Sequence, residues 1–370
     1  MRRLQTAAYL PEELTVKVLE RLPVKSLIRF TSVSKRWRFI ILSDPEFAKS
    51  QFQIASQHQT FRHRALVSTS NETEIESHNL LSSSSPKLRC PFILPRTAVK
   101  LICSCNGLVC ALLLPLKHFY IWNPSTGFFS KLPEPVGYPL KNRSLFICGF
   151  GYLSASDDYK LIAKLKDDMF GDGYDYDYYF DVVVVMLIFS SKANSWKRTE
   201  APVGYHFNGA GILSNEVVHW MDKRNDMAIV AFDLAEEEFR GMPLPVVDGG
   251  ELGFLRAYGD SLCVFDLAKV CTSCSIDMWV MKEYGVDDSW MKLFKLKISN
   301  QPENIKGLRP NLVLETTTFL QKRTVDSDGR SVIEVIRSGH TKEELHSFVL
   351  SMNAKFMEMI EYEETLLRLG

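Results

Sequence analysis

The stretch Ile121-Trp122-Asn123-Pro124-Ser125-Thr126-Gly127-Phe128-Phe129 indicates how most of this chain folds. Its first two residues end an apolar, β-prone run, and the next five form a polar turn. Phe129 then begins a second run. A strand, a turn rich in Asn, Pro, Ser and Gly, and another strand predict a β-hairpin.

This hairpin pattern recurs along the chain. The apolar pairs that end the leading strands are Ile121-Trp122, Ile188-Phe189, Ala231-Phe232 and Met278-Trp279. A second aromatic residue follows the first three pairs after seven positions, and Trp290 follows Trp279 after eleven; the first three are Phe129, Trp196 and Phe239. The leading aromatic residues are 67, 43 and 47 positions apart, and the last two spacings match the roughly 40–50 residues of a four-stranded propeller blade.

The repeat therefore predicts an all-β repeat domain over residues 64–338, a β-propeller of about six blades, with a linker at 51–63. Residues 64–69 are the candidate first strand. Residues 339–370 show a helical period instead, and we predict a C-terminal helix there. The apolar positions with this period are Leu345, Phe348, Val349, Met352, Phe356, Met359 and Ile360. Either residues 331–337 then supply the strand that closes the ring, or the closure is irregular.

Residues 1–50 form a separate all-α module. Pro11 stands at a helix start with two glutamates after it, which suits the positive end of the helix dipole. Leu14, Val18 and Leu22 follow on one apolar stripe. Further short helices carry Leu27 and Trp37.

So small a module buries little surface by itself, and domains of this size depend on a disulfide, a metal or a partner. It contains no cysteine and no histidine. A partner, or docking on the rest of the chain, must therefore cover its apolar face. A helical cap on the following domain is the competing interpretation.

The order of residues in this module resembles an F-box of the plant type. The matching positions are Leu10, Pro11, Leu14, Val18, Leu19, Arg21, Leu22, Pro23, Val24, Lys25, Ser26, Leu27, Arg29, Phe30, Val33, Lys35, Trp37 and Arg38. Ser34 departs from the pattern, since many relatives carry cysteine there. The resemblance implies docking on the Skp adaptor of a Skp–cullin–F-box ubiquitin ligase. The contact or module-core positions it implies are Leu10, Pro11, Leu14, Val18, Leu19, Leu22, Pro23, Leu27, Val33 and Trp37.

The β-repeat domain in turn resembles the plant F-box-associated interaction domain, in kelch-like propeller form. The segments that carry this resemblance are residues 104–110, 121–127, 149–152, 157–160, 194–198 and 279–286. Together the two resemblances imply a non-catalytic receptor that holds a target protein while other subunits transfer ubiquitin. Two alternatives stay open: a propeller enzyme or ligand-binding protein with a helical cap, and a scaffold that does not promote degradation.

No motif in the sequence indicates catalysis, a metal or another cofactor. Cys271 and Cys274 form a CxxC pair without a second pair or a nearby histidine, so we interpret them as ordinary thiols. The segment 167–181 contains six Asp and four Tyr, and a solvated loop is its plainer interpretation. The sharper one is an acidic, aromatic lip that binds a basic target. Its candidate residues are Asp172, Asp175, Tyr176 and Asp177.

The charge balance of the chain bears on its partners. The 370 residues contain 44 Lys and Arg against 44 Asp and Glu, so the formal net charge is zero. That balance argues against nucleic acid or an anionic membrane as a partner. Residues 1–50 nevertheless carry ten basic and five acidic residues, which suits an acidic adaptor surface. With no signal-peptide pattern and a low cysteine density, we expect the cytoplasm, the nucleus or both.

Overall fold

A computed structural model of the chain describes residues 11–58, 60, 63–69, 74–79, 87–135, 143–167, 185–200, 209–222, 228–247, 252–267, 274–298, 308–325, 331–340, 345–352 and 357–369. Within these ranges it has two parts, a helical N-terminal module and a ring of β-sheets. The fold class predicted from the sequence is confirmed in both parts.

Four helices form the N-terminal module: α1 (Glu12–Leu19), α2 (Val24–Phe30), α3 (Lys35–Ser43) and α4 (Pro45–Gln57). Pro11 and Pro23 directly precede α1 and α2. Ser34 caps α3 by accepting from the Trp37 amide, and the Asp44 carboxylate accepts from the first amides of α4. Helix α4 extends to Gln57, so residues 51–57, which the sequence assigned to the linker, are helical.

In the described ranges the strands form six four-stranded antiparallel sheets, which are the blades of a propeller. Blade 1 contains, from the inside outward, β24 (Met357–Glu363), β1 (His63–Thr69), β2 (Glu74–Asn79) and β3 (Lys87–Arg89). Blade 2 contains β4 (Ala98–Cys105), β5 (Leu108–Leu114), β6 (His118–Trp122) and β7 (Phe129–Lys131). Blade 3 contains β8 (Arg143–Leu153), β9 (Asp158–Asp167), β10 (Val185–Ser190) and β11 (Ser195–Glu200).

The remaining three blades repeat this order. Blade 4 contains β12 (Ile212–Ser214), β13 (Val217–Asp222), β14 (Ala228–Asp233) and β15 (Phe239–Pro243). Blade 5 contains β16 (Leu252–Tyr258), β17 (Ser261–Asp266), β18 (Ser275–Met281) and β19 (Trp290–Lys297), with a 3₁₀ turn at Asp287–Ser289. Blade 6 contains β20 (Leu308–Val313), β21 (Thr317–Val325), β22 (Ser331–Gly339) and β23 (Leu345–Met352).

The predicted C-terminal helix is wrong. Residues 345–352 and 357–363 are the strands β23 and β24, and β24 pairs with β1 from His63↔Glu363 to Thr69↔Met357. Blade 1 is thus built from both ends of the repeat domain, and β24 closes the ring. The strand at 331–339 is the third strand of blade 6, so neither sequence-based account of closure is right. The strand pairing of β24 with β1 and of β23 with β22 stabilises these segments more than the helix that their apolar spacing favours.

The predicted hairpins are confirmed. Trp122 faces Phe129, Phe189 faces Trp196, and Phe232 faces Phe239 across neighbouring strands. In blade 5 the residue opposite Trp290 is Met281, and Trp279 faces Lys292. Trp122 and Phe232 are fully buried, so these aromatic residues belong to the core between blades rather than to a ligand cage.

The two faces of the ring differ in their connections. The turns that join the first and second strands of blades 2–6 lie on one face, here called the proximal face: residues 106–107, 154–157, 215–216, 259–260 and 314–316. Hydrogen bonds link neighbouring turns: the Ser154 amide donates to Glu216 Oε1 at 2.8 Å, and Asn215 Nδ2 donates to the Asp260 carbonyl at 2.9 Å. The opposite face, here called the distal face, carries the connections from second to third strands.

Candidate functional site

The helical module separates its apolar residues into a buried set and an exposed set. Leu19, Leu27 and Ile41 pack in its core with at most 1% exposure. Leu366 and Leu367 pack into the same cluster from residues 364–369, which follow β24 and are here called the C-terminal strap. The rest of the chain therefore covers one face of the module.

A second apolar face of the module stays exposed. Its members are Leu14 at 48%, Val18 at 56%, Val33 at 59% and Phe39 at 52% exposure. Isolated exposed apolar residues are ordinary, but four in about 25 residues of a small module indicate an interface. Their side chains provide surface that a partner would remove from water.

A contact between α1 and α3 fixes how the exposed residues are presented. Arg36 Nε donates to Glu12 Oε1 at 3.0 Å, and this hydrogen bond holds the pKa of the Glu12 carboxyl below its usual range. The Arg36 guanidinium also lies 5.5 Å from the centre of the Phe39 ring. Phe39 was not among the residues predicted from the sequence.

The residues predicted for adaptor docking fall into distinct environments. Leu10 lies outside the described residues. Pro11, Leu14, Val18, Pro23 and Val33 are exposed, Leu22 and Trp37 are half-buried, and Leu19 and Leu27 are buried. Trp37 packs edge-on against Phe30 with ring centres 5.6 Å apart. Leu19 and Leu27 thus support the module, while the exposed residues remain available for contact.

The residues predicted for target binding, Asp172, Asp175, Tyr176 and Asp177, lie outside the described residues. The strands that flank them are described: β9 ends at Asp167, and β10 begins at Val185. This connection joins the second and third strands of blade 3, so it leaves and re-enters the ring on the distal face. The helical module contacts the proximal face, where Lys49 Nζ lies 2.6 Å from Asp157 Oδ2.

Ionisable residues on the inner strands form a cluster that sequence patterns did not reveal. Burial raises the pKa of Glu361 to about 8 and that of Glu363 to about 7. Arg256 on β16 opposes the shift at Glu361 and donates to the Leu255 carbonyl at 2.8 Å. Both carboxyls are on β24, and the erroneous helix prediction for this segment concealed their place beside the channel.

The described cysteines have the environment of structural thiols. Burial raises the pKa of Cys90, Cys148 and Cys263 to about 12, so these thiols stay protonated and unreactive. Cys274 is half-buried, and Cys271 lies outside the described residues. Among the described residues, no group of three or more His, Cys, Asp or Glu side chains is arranged to hold a metal ion. No helix in the described ranges is long and apolar enough to cross a membrane.

Comparisons with known proteins agree with this two-part architecture. The sequence profile of the F-box domain matches residues 9–49, and that of the F-box associated beta propeller domain matches residues 46–355. An F-box/kelch-repeat protein of Arabidopsis thaliana is 28% identical over 344 residues, which cover 89% of this chain and 86% of the relative. The F-box protein CPR1 of Arabidopsis thaliana is 28% identical over 338 residues, covering 82% of this chain and 76% of its own.

Among solved structures, TolB from Acinetobacter baumannii aligns with 82% of this chain and 71% of its own. The sequence identity is 8% and the TM-score is 0.41, a similarity too low to indicate function.

Proposed function

Since the chain belongs to the F-box proteins that carry an F-box associated β-propeller domain, we propose that it is the substrate-recognition subunit of a Skp–cullin–F-box ubiquitin ligase. The F-box docks on the Skp adaptor, and the propeller holds a target protein. Ubiquitin transfer is the work of other subunits. The chain contributes by tethering, because holding target and ligase together raises their effective concentration.

The observation that carries this proposal is the exposed apolar face of the F-box. Its four members lie on a module whose other large apolar residues in the described range are buried or half-buried, partly by the C-terminal strap. A few central, desolvated residues supply most of the binding free energy at a protein interface, and removing apolar side chains from water is favourable. The excess of basic residues in positions 1–50 favours an adaptor with an acidic surface and speeds its encounter.

The docking step is tested with purified full-length chain and Skp adaptor. A Leu14→Ala/Val18→Ala variant should lose about 2 kcal/mol or more of binding free energy, with an unchanged thermal unfolding midpoint, because both residues are exposed. The variant Leu14→Ala/Trp37→Ala should also lose the adaptor. Val246→Ala, which removes an apolar side chain 92% exposed on the propeller, is the matched control. Adaptor binding that survives both F-box variants would contradict the docking surface.

For the target we propose the distal face, with residues Asp172, Asp175, Tyr176 and Asp177 as part of its contact surface. The support is topological: the flanking strands end there, while the F-box contacts the proximal face. Acidic and aromatic side chains together favour a basic segment of the target.

This target surface is tested by replacing Asp172, Asp175 and Asp177 with Asn and measuring which proteins the full chain captures when the proteasome is inhibited. We expect capture of basic targets to fall while adaptor binding is retained. The matched control changes Glu283, Asp287 and Asp288, three exposed acidic residues between β18 and β19 on the proximal side, to their amides. Equal capture by both triple variants would sink the assignment.

The cluster of Glu361, Glu363 and Arg256 favours one alternative, a propeller that binds a ligand in its channel and does not promote degradation. That alternative predicts that Glu361→Gln changes what the chain captures, whereas the Leu14→Ala/Val18→Ala variant does not. The receptor proposal predicts that target abundance rises when the cullin is inhibited. An unchanged abundance would favour the alternative.

A further inference from the structure

The C-terminal strap is packed between the F-box and the propeller. After β24 ends at Glu363, the strap leaves the ring on the proximal face, and Leu366 and Leu367 enter the F-box core. Leu366 is 3% exposed. A segment at the end of the chain thus supplies part of the hydrophobic core of the module at its beginning.

One side chain of the propeller holds the backbone of this strap. Asn123 Nδ2 donates to the Leu367 carbonyl at 2.7 Å and to the Thr365 carbonyl at 3.0 Å. Asn123 is 1% exposed, so these hydrogen bonds are shielded from water and costly to lose. The Thr365 hydroxyl donates to the Asn106 carbonyl at 3.1 Å. The strap is therefore fixed to blade 2 by directed contacts.

Asn123 has a second task inside its own turn. Its Oδ1 accepts from the amides of Ser125 at 2.8 Å and Thr126 at 3.2 Å. Asp233 occupies the equivalent turn of blade 4, where its Oδ1 accepts from the amides of Ala235 and Glu236 at 2.9 and 3.1 Å. An aspartate caps this turn equally well, so the turn alone does not require an amide. The NH₂ group of Asn123 instead donates its hydrogen bonds to the strap.

Other contacts fasten the strap and the F-box to each other and to the ring. Arg368 Nη2 donates to the Ser43 carbonyl at 3.0 Å, at the C-terminal end of α3, where a cation is favourable. The Arg368 guanidinium also lies 5.5 Å from the centre of the Phe128 ring in blade 2. Lys49 on α4 pairs with Asp157 in blade 3. These contacts join the F-box to two neighbouring blades.

We propose that Asn123 and the C-terminal strap are positioning elements that hold the F-box and the propeller in one fixed orientation. Asn123 acts on ubiquitin transfer only through this orientation, because at 1% exposure inside the junction its side chain is shielded from any partner. The role in transfer rests on the proposed function, whereas the rigid junction does not. In a fixed orientation, ubiquitin reaches only a restricted set of lysines on the propeller and on a target protein bound to it.

The test uses the full chain with Asn123→Asp. This substitution keeps the acceptor that caps the turn, but sets a carboxylate against the carbonyls of Thr365 and Leu367. We expect loss of amide hydrogen-exchange protection in the strap and in α3 and α4, and an increased radius of gyration in small-angle scattering. Asp233→Asn, the reverse change in the equivalent turn, is the matched control and should leave both measurements as in the unaltered chain. Arg368→Ala should loosen the strap in the same direction with Asn123 intact.

The functional arm uses a reconstituted ligase with the chain's own lysines as acceptors. Mass spectrometry should find ubiquitin on a restricted set of propeller lysines in the unaltered chain and on a broader set in Asn123→Asp. Unchanged exchange and scattering in both strap variants would overturn the fixed junction. A loosened junction with an unchanged lysine pattern would overturn the positioning role. Absence of ubiquitin on every variant would count against the proposed function, while the exchange and scattering results would still decide the junction.

Discussion

His219 shows how a buried ionisable residue is kept neutral in this ring. Its Nδ1 lies 3.2 Å from the Ile212 carbonyl, and its Nε2 lies 2.8 Å from the Tyr284 hydroxyl. Arg240 Nη2 donates to that hydroxyl at 3.1 Å. The hydroxyl is therefore assigned as the donor to Nε2, and Nδ1–H as the donor to Ile212. Burial lowers the pKa of His219 to about 4.

The pKa shift of His219 predicts sensitivity to acid. Between pH 6.5 and about 4 the unfolded chain binds a proton at this residue that the folded chain does not, so stability falls as pH falls. The loss is at most about 1.4 kcal/mol per pH unit. His219→Gln should flatten this dependence in urea unfolding at pH 5 and 7, and a change at the exposed His58 should not. An unaltered slope in His219→Gln would refute the assignment.

Gly107 lies where the ring closes. Its φ is +75°, and a Cβ added there would lie 2.4 Å from the Glu363 carbonyl oxygen. Gly127 has a φ of +81° with open space around it. Gly127→Ala should therefore cost only the strain of positive φ, about 1–2 kcal/mol, and Gly107→Ala should cost more because β24 must move. Chemical denaturation measures both, and equal costs would mean that closure tolerates the displacement.

Among the strands and helices, sequence-based prediction succeeded for a pair of neighbouring strands and failed for a strand that pairs with a distant segment. The Trp122–Phe129 hairpin is joined by a short turn, and its strands pair as predicted. The segment that became β24 pairs with β1, almost 300 positions away along the chain. The apolar residues of this segment have a helical spacing, and no nearby segment offered a strand to pair with. The sequence therefore could not reveal that pairing with a distant strand would override the helical preference.

The carboxyls on β24 predict a second pH dependence. Burial raises the pKa of Glu361 to about 8 from an ordinary value of 4.5. Over that interval the folded chain holds a proton that the unfolded chain releases, so stability falls as pH rises. This slope is opposite to that of His219, and single variants are needed to separate them. Glu361→Gln should flatten unfolding free energies between pH 5 and 8, while exposed Glu238→Gln should not; an equal effect of both would contradict the buried carboxyl.

For the whole molecule, the sequence predicted two domains and their order but not their attachment. The need to cover the F-box was evident from its size and from its lack of cysteine and histidine. In the structure, Leu366 and Leu367 of the strap cover one apolar face of the F-box. A second set of apolar residues stays exposed: Leu14, Val18, Val33 and Phe39. No periodicity could indicate the strap, because its contacts join the two ends of the chain.

The F-box is attached to one of the two faces of the ring. Among the described residues, Lys49 of the F-box pairs with Asp157 on the proximal face of blade 3, and the strap that packs into the F-box core is bound by Asn123 on the proximal face of blade 2. The basic excess lies in the F-box and the acidic excess in the remainder of the chain. Under the proposed function, the adaptor and the target therefore lie on opposite faces of the molecule, with opposite electrostatic preferences.

The most direct test of the central claim is ubiquitin transfer in a ligase reconstituted from the full chain, Skp adaptor, cullin, ubiquitin-conjugating enzyme and the proteins that the propeller captures. We predict that captured proteins become ubiquitinated with the unaltered chain, and that transfer is lost with Leu14→Ala/Val18→Ala while capture persists. Captured proteins that stay unmodified although the adaptor is bound, or that are modified equally with both chains, would contradict a substrate-recognition role.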